Sequence, residues 1–163
     1  MRSMILVAGL ILMAGVAQAQ TGNAKQETRK QDSVLMKDVF EPLVVDAVNN
    51  DETPDWEVLK TKVSVGHDAA FTERFICKAK IFYFYSRDWP EFDAALVHYT
   101  DTYEDKNDAR LMNKNAKMIL DHSGDRKQLE AALSWSKLAL AKEPANADYK
   151  KTKDALTAKL SGI

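Results

Sequence analysis

The phrase Asp88-Trp-Pro-Glu-Phe-Asp-Ala-Ala-Leu96 returns 37 residues later as Asp125-Arg-Lys-Gln-Leu-Glu-Ala-Ala-Leu133. In each copy an aspartate stands where a helix N-cap is preferred, and Glu91 or Gln128 three residues on is placed to answer it in a capping box. Phe92 and Leu129 then open an inward stripe. Ala95 and Ala132 supply a small side chain where two helices approach closely, and Leu96 and Leu133 continue the stripe. A helical unit repeated at this interval cannot bury its apolar face alone, so it implies hairpins of helices stacked on one another.

The rest of the chain fits that frame. A first helix is expected over Ser33 to Val48, with Leu35, Val39, Leu43 and Ala47 as one stripe and Met36, Phe40, Val44 and Val48 beside it. Pro42 falls inside this pattern without shifting its phase, which predicts a kink rather than two helices. Thr53 as N-cap and Pro54 at the first position begin a second helix that ends at Gly66. Asp68 caps a third, from Ala69 to about Ser86, apolar almost all round, so it should be covered on more than one side. Further helices are predicted from Trp89 or Pro90 to Tyr103, Asp108 to Leu120, Arg126 to Lys142, and after an Asn146 cap to Gly162. Gly124 suits a left-handed residue after the fifth helix. No stretch of strand length alternates with period two. The expected fold is all-α: about seven helices in a right-handed stack of antiparallel hairpins, paired one with two, three with four and five with six, with the seventh as a cap.

The beginning of the chain reads as an export signal. Arg2 is a short positive region, Ile5 to Met13 an apolar core, and Ala17-Gln-Ala19 a small-residue cleavage pattern. Residues 1–19 are therefore expected as a cleaved signal peptide, 20–31 as a polar flexible leader, and 32–163 as the helical domain. No cysteine follows the cleavage pattern to carry a lipid, so the mature chain is expected to be periplasmic or secreted, with no stable membrane anchor. Loss of Arg2 leaves 22 of the 23 basic residues against 24 acidic ones, a balance that argues against nucleic acid as a partner. Cys77 is the single cysteine, so no internal disulfide can form and the fold must rest on its core.

The segment Leu129-Glu-Ala-Ala-Leu-Ser-Trp-Ser-Lys-Leu-Ala-Leu-Ala-Lys-Glu-Pro-Ala-Asn146 resembles the second helix of a tetratricopeptide (TPR) unit. Leu129, Ala132, Leu133, Ala139 and Pro144 occupy that unit's large, small and terminal positions. Phe92, Ala95, Leu96 and Tyr99 fit the preceding unit, which departs at Thr102 and Asn107. The interval of 37 also exceeds the usual 34 of such repeats. Over Trp56 to Tyr149 the chain is similar to the TPR-like region that follows the thioredoxin domain in exported Bacteroidetes proteins. The phrases that carry this are Asp55-Trp-Glu57, Phe82-Tyr-Phe-Tyr-Ser-Arg-Asp-Trp-Pro-Glu-Phe92, Tyr99-Thr-Asp-Thr-Tyr103, Asn113-Lys-Asn-Ala116 and Ala132-Leu-Ser-Trp-Ser-Lys137. The Cys-x-x-Cys motif and the strand-rich half of that family are missing, so its thiol chemistry does not carry over.

Candidate chemistry is thin. Cys77 sits among apolar residues and reads as a buried, inert thiol. Asp121-His-Ser-Gly-Asp125 has metal-ligand residue types, but helix ending and capping account for it. Asp51, Glu52, Asp55 and Glu57 match the preference of a helix N-terminus for acids better than a catalytic pair. Of the 14 aromatic residues, ten lie between Phe71 and Tyr103, at helical spacings that place most of them in the core. No cofactor and no metal are expected, and the chain does not read as an enzyme. The expected function is a non-catalytic module that binds a protein or peptide, or alternatively an accessory subunit of a separately encoded thioredoxin-like redox protein. Arg74, Lys78, Asn113 and Lys117 are the polar residues expected near the partner-binding face.

Overall fold

The computed structural model describes residues 33–163; the predicted signal peptide and leader lie outside them. Among the described residues the chain forms seven helices and no strand. We number them α1 (33–50), α2 (Trp56–Ser64), α3 (Ala69–Phe84), α4 (Trp89–Tyr103), α5 (Ala109–His122), α6 (Arg126–Lys142) and α7 (Ala147–Ser161). The region expected as one domain contains two compact units, one running to Tyr83 and the other from Phe84 to Ile163.

In the first unit, α1 accommodates Pro42 in a widened, π-helical stretch. Met36–Val45 is π-helical, and the Asp46 N–H donates to the Glu41 carbonyl five residues back. A proline clashes with the carbonyl four residues before it, and a wider turn moves that carbonyl away. The widening also redraws the buried face. Leu35, Phe40, Val44 and Ala47 are buried, so the face takes residues from both expected stripes. Asp51, at φ 60°, ends α1 in the left-handed region. The α2 cap is Asp55, whose carboxylate accepts from the N–H groups of Glu57 and Val58 at 3.1 and 3.0 Å. Thr53, the expected cap, is exposed before the helix begins, and Pro54 is buried in the connection. An aspartate next to the first helical residue outcompetes a threonine that the following proline holds extended.

Asp68 caps α3 as expected, accepting from the Phe71 N–H at 2.7 Å. Thr72, Phe75, Cys77, Lys78, Ala79, Ile81, Phe82 and Tyr83 are buried, a set that runs most of the way around the helix. Phe40 of α1 lies edge-on to both Phe75 and Phe82, with ring centroids 6.1 and 5.2 Å apart. Tyr83 meets Trp56 of α2 in the same way at 5.6 Å and donates its hydroxyl to the Glu52 carbonyl at 3.1 Å. Such edge contacts are the favoured geometry of aromatic pairs.

The second unit is built on α6, which packs against α5 on one side and α7 on the other; α4 packs on α5 and α6. Asp88, Asp108, Asp125 and Asn146 cap the four helices through their side chains. Ala132 and Ala139 are fully buried in α6, as close helix packing requires, and Met112, Ile119, Leu129 and Leu156 fill the core around them. Full burial of side chains of this size stabilises by roughly 1.5–3 kcal/mol each. The two copies of the repeated phrase do not bury the same face. In α4 the buried set is Phe92, Asp93, Leu96, Tyr99 and Thr100, whereas in α6 it is Leu129, Ala132, Trp135, Ser136 and Ala139. The α6 face is rotated because that helix has a neighbour on each side.

Gly124 does not take the expected left-handed conformation; no glycine among the described residues has positive φ. The chain leaves α5 extended through Ser123, at φ −74° and ψ 136°. The second left-handed residue is Ser86, at φ 62°, in the turn between α3 and α4.

Candidate binding face

The four polar residues expected near a partner fall in two pairs, one in each unit. Arg74 and Lys78 are one turn apart on α3. Arg74 is half-buried, its guanidinium 5.7 Å from the centroid of Phe71, and that ring stacks on His67 with centroids 4.0 Å apart. Lys78 is 8% exposed, so it is buried rather than presented on the partner-binding face expected for it. A long basic side chain on a helix this apolar buries its stem along neighbouring side chains.

Asn113 and Lys117 are likewise one turn apart, on α5, and they converge on one carboxylate. Asn113 Nδ2 donates to Asp148 Oδ2 at 3.0 Å, and Lys117 Nζ lies 2.7 and 2.9 Å from the two oxygens of the same group. Asp148 is in the first turn of α7, next to the Asn146 cap. The hydrogen bond from Lys117 is the chief reason its carboxyl is held below the usual range, against a smaller upward push from burial. Lys117 and Asp148 are about half exposed, so water screens the pair and it contributes little to stability. Asn113 differs: it is 4% exposed, and its Oδ1 has no hydrogen-bond partner. The α5 face therefore does hold a carboxylate, and the carboxylate belongs to the chain itself. Asp148 carried only a helix-start signal in the sequence, which is why its pairing was not visible there.

A second polar cluster ties α4, the following turn and α6 together. Trp135 is 1% exposed, and its indole N–H donates to Asp101 Oδ1 at 2.8 Å. Lys106 Nζ reaches the same oxygen at 2.9 Å and the Thr100 carbonyl at 2.6 Å, and lies 5.7 Å from the centroid of the Trp135 ring. Thr100 in turn accepts from Asn115 Nδ2 of α5 at 2.9 Å. This arrangement is structural: a buried indole meets its hydrogen-bond requirement and draws the exposed turn over it.

Residues with chemical potential elsewhere are occupied in the fold. Burial pushes the Cys77 thiol up to about 11, with Lys80 pulling the other way, so the nucleophilic thiolate is suppressed. His122 stacks flat on Trp89 at 3.4 Å between centroids, and Asp125 caps α6. No group of three or more His, Cys, Asp or Glu side chains is placed to hold a metal ion among the described residues. None of the described helices is long and apolar enough to cross a membrane.

No family model, curated protein or solved structure matches the chain.

Proposed function

We propose that this protein is a non-catalytic module that works outside the cytoplasm and binds a protein or peptide through a face built on stacked TPR-like hairpins. The observation that carries the reading is the convergence of Asn113 and Lys117 on the Asp148 carboxylate. Two donors one turn apart on a helix, fixed by a packed core, are complementary to an acidic or carboxylate-bearing group, and a partner's group would take them by displacing Asp148. The repeated phrase, the alanines buried in α6 and the terminal Pro144 support the hairpin-stack reading. The suppressed thiol of Cys77 supports a role that does not depend on its own redox chemistry.

Affinity capture from a cell-envelope extract with the mature chain, followed by mass spectrometry, tests the proposal. Repeated recovery of the same protein, displaced by high salt, is the expected result. Recovery of nothing specific at low salt would remove the basis for a binding function. Recovery of a thioredoxin-like protein would instead identify the chain as the accessory subunit of a redox partner.

A further inference from the structure

Asp148 fills the two donors of the α5 face, yet α7 does not need its side chain to stay in place. The cap of α7 is Asn146, whose side chain accepts from the N–H groups of Asp148 and Tyr149 at 3.1 and 3.3 Å. Thr152, one turn on, donates its hydroxyl to the Asp148 carbonyl at 3.1 Å, a contact with the backbone alone. Tyr149, Thr152 and Leu156 are the buried residues of the helix. The Asp148 carboxylate points instead at Lys117, and about half of each side chain meets water. Rotation of that one side chain would release both donors and leave the helix capped and packed.

Asn113 explains why the position is filled rather than open. It is 4% exposed and its Oδ1 already lacks a partner, so loss of Asp148 would leave its side-chain N–H without an acceptor as well. A buried amide unmet at both ends is costly, so the position favours one carboxylate or another over none. Around it the face is basic. Arg110, Lys114 and Lys117 follow one another along α5 at spacings of four and three residues, which places them in one row that ends at Asp121. Lys151 stands one turn after Asp148 on α7. Arg110, Lys114 and Lys151 are exposed.

We propose that Asp148 is a built-in competitor for an acidic segment of a partner protein, holding the Asn113 and Lys117 donors until a carboxylate of that segment replaces it. This exchange rests on the binding role proposed above and gives it an occupant and a control. A segment with two or more carboxylates has the advantage over Asp148, because one replaces the internal group while the others meet Arg110, Lys114 or Lys151. An isolated carboxylate gains only what Asp148 already had. The face therefore discriminates against single acids, and its affinity for any ligand is reduced by the fraction of time Asp148 occupies it. A half-exposed ion pair holds its donors weakly, so that reduction is roughly two- to fivefold.

Fluorescence anisotropy of a labelled hexaglutamate peptide at low salt tests the exchange on the mature chain. The proteins compared are the wild type, Asp148→Ala, Asp148→Asn, Asp154→Ala, and Asn113→Ala combined with Lys117→Ala. Asp154 is the control: it lies on the same helix, paired with Lys150 at 2.8 Å, and its removal changes the charge of α7 equally. Both Asp148 variants should bind the peptide roughly two- to fivefold more tightly than the wild type, with Asp154→Ala near the wild-type value. Asp148→Asn, which keeps the size of the side chain, carries the test if Asp148→Ala loses helical content by circular dichroism. Affinity unchanged or weakened in the Asp148 variants, while the Asn113 and Lys117 substitutions reduce it, overturns the competitor and leaves the binding face standing. Equal gains from Asp148→Ala and Asp154→Ala also overturn it, because a general charge effect then accounts for both. Acetate at the same carboxylate concentration should displace the peptide poorly; displacement as efficient as by unlabelled hexaglutamate overturns the preference for a segment. Peptide bound by none of the proteins overturns an acidic segment as the occupant. Binding that survives the Asn113 and Lys117 substitutions intact refutes the binding role of the face itself.

Discussion

Replacing Trp135 by alanine and by phenylalanine separates its two contributions. The side chain is 1% exposed within α6, so Trp135→Ala removes a large buried volume from a helix packed on both sides. Substitutions of this kind cost about 3–5 kcal/mol, against a total of about 5–15 kcal/mol for a typical domain. Trp135→Phe keeps most of the buried ring and deletes the donor to Asp101. Hydrogen bonds to charged groups contribute about 1.5–3 kcal/mol. Here the acceptor is half open to water and keeps Lys106 at 2.9 Å, so the loss should be nearer about 1 kcal/mol. Pairing Trp135→Phe with Asp101→Asn in a double-mutant cycle isolates that bond. Urea unfolding followed by far-UV circular dichroism reads all five proteins without relying on tryptophan fluorescence. A cost under about 1 kcal/mol for Trp135→Ala would refute the placement of α6 as the buried centre of its unit. Equal costs for the two substitutions would refute the division between packing and hydrogen bond.

Two further predictions follow from groups with shifted ionisation. Cys77 should resist a thiol reagent at pH 8 while the protein is folded and react once it is denatured; rapid reaction of the folded chain would contradict the burial that raises its thiol to about 11. Asp148 should titrate below the usual carboxylate range in NMR, and Lys117→Met should return it toward that range, since the lysine is the main cause of the shift. Because its carboxyl is lowered on folding, its contribution to stability is present above the unfolded value and is lost as the pH falls through the lowered one. An Asp148 midpoint indifferent to Lys117→Met would remove the ion pair from the α5 face.

The helical fold was legible because its signals are local. Asp68, Asp88, Asp125 and Asn146 announce helix starts through side chains that bond the N–H groups just ahead of them, and the structure has all four caps. Where two residues competed for one role, local reading chose wrongly. Thr53 and Asp55 both suit a cap, and the following proline decides against the threonine. Ser123 rather than Gly124 makes the exit from α5, because its hydroxyl bonds both the next helix start and Gln128. Pro42 was visible as a conflict, but the π-helical stretch that resolves it left no separate pattern in the sequence. Asp93 and Asp148 left no distinguishing pattern at all. Asp148 stands in the first turn of α7 and Asp93 in the second turn of α4, and only the residues brought near each by folding set it apart.

The binding of a captured partner to wild type and to a variant carrying Asn113→Ala and Lys117→Ala tests the central claim most directly. Isothermal titration should show binding weakened roughly tenfold or more, equivalent to about 1.4 kcal/mol, with the helical content of the variant unchanged. Unaltered affinity would contradict the assignment of this polar face as the site of recognition.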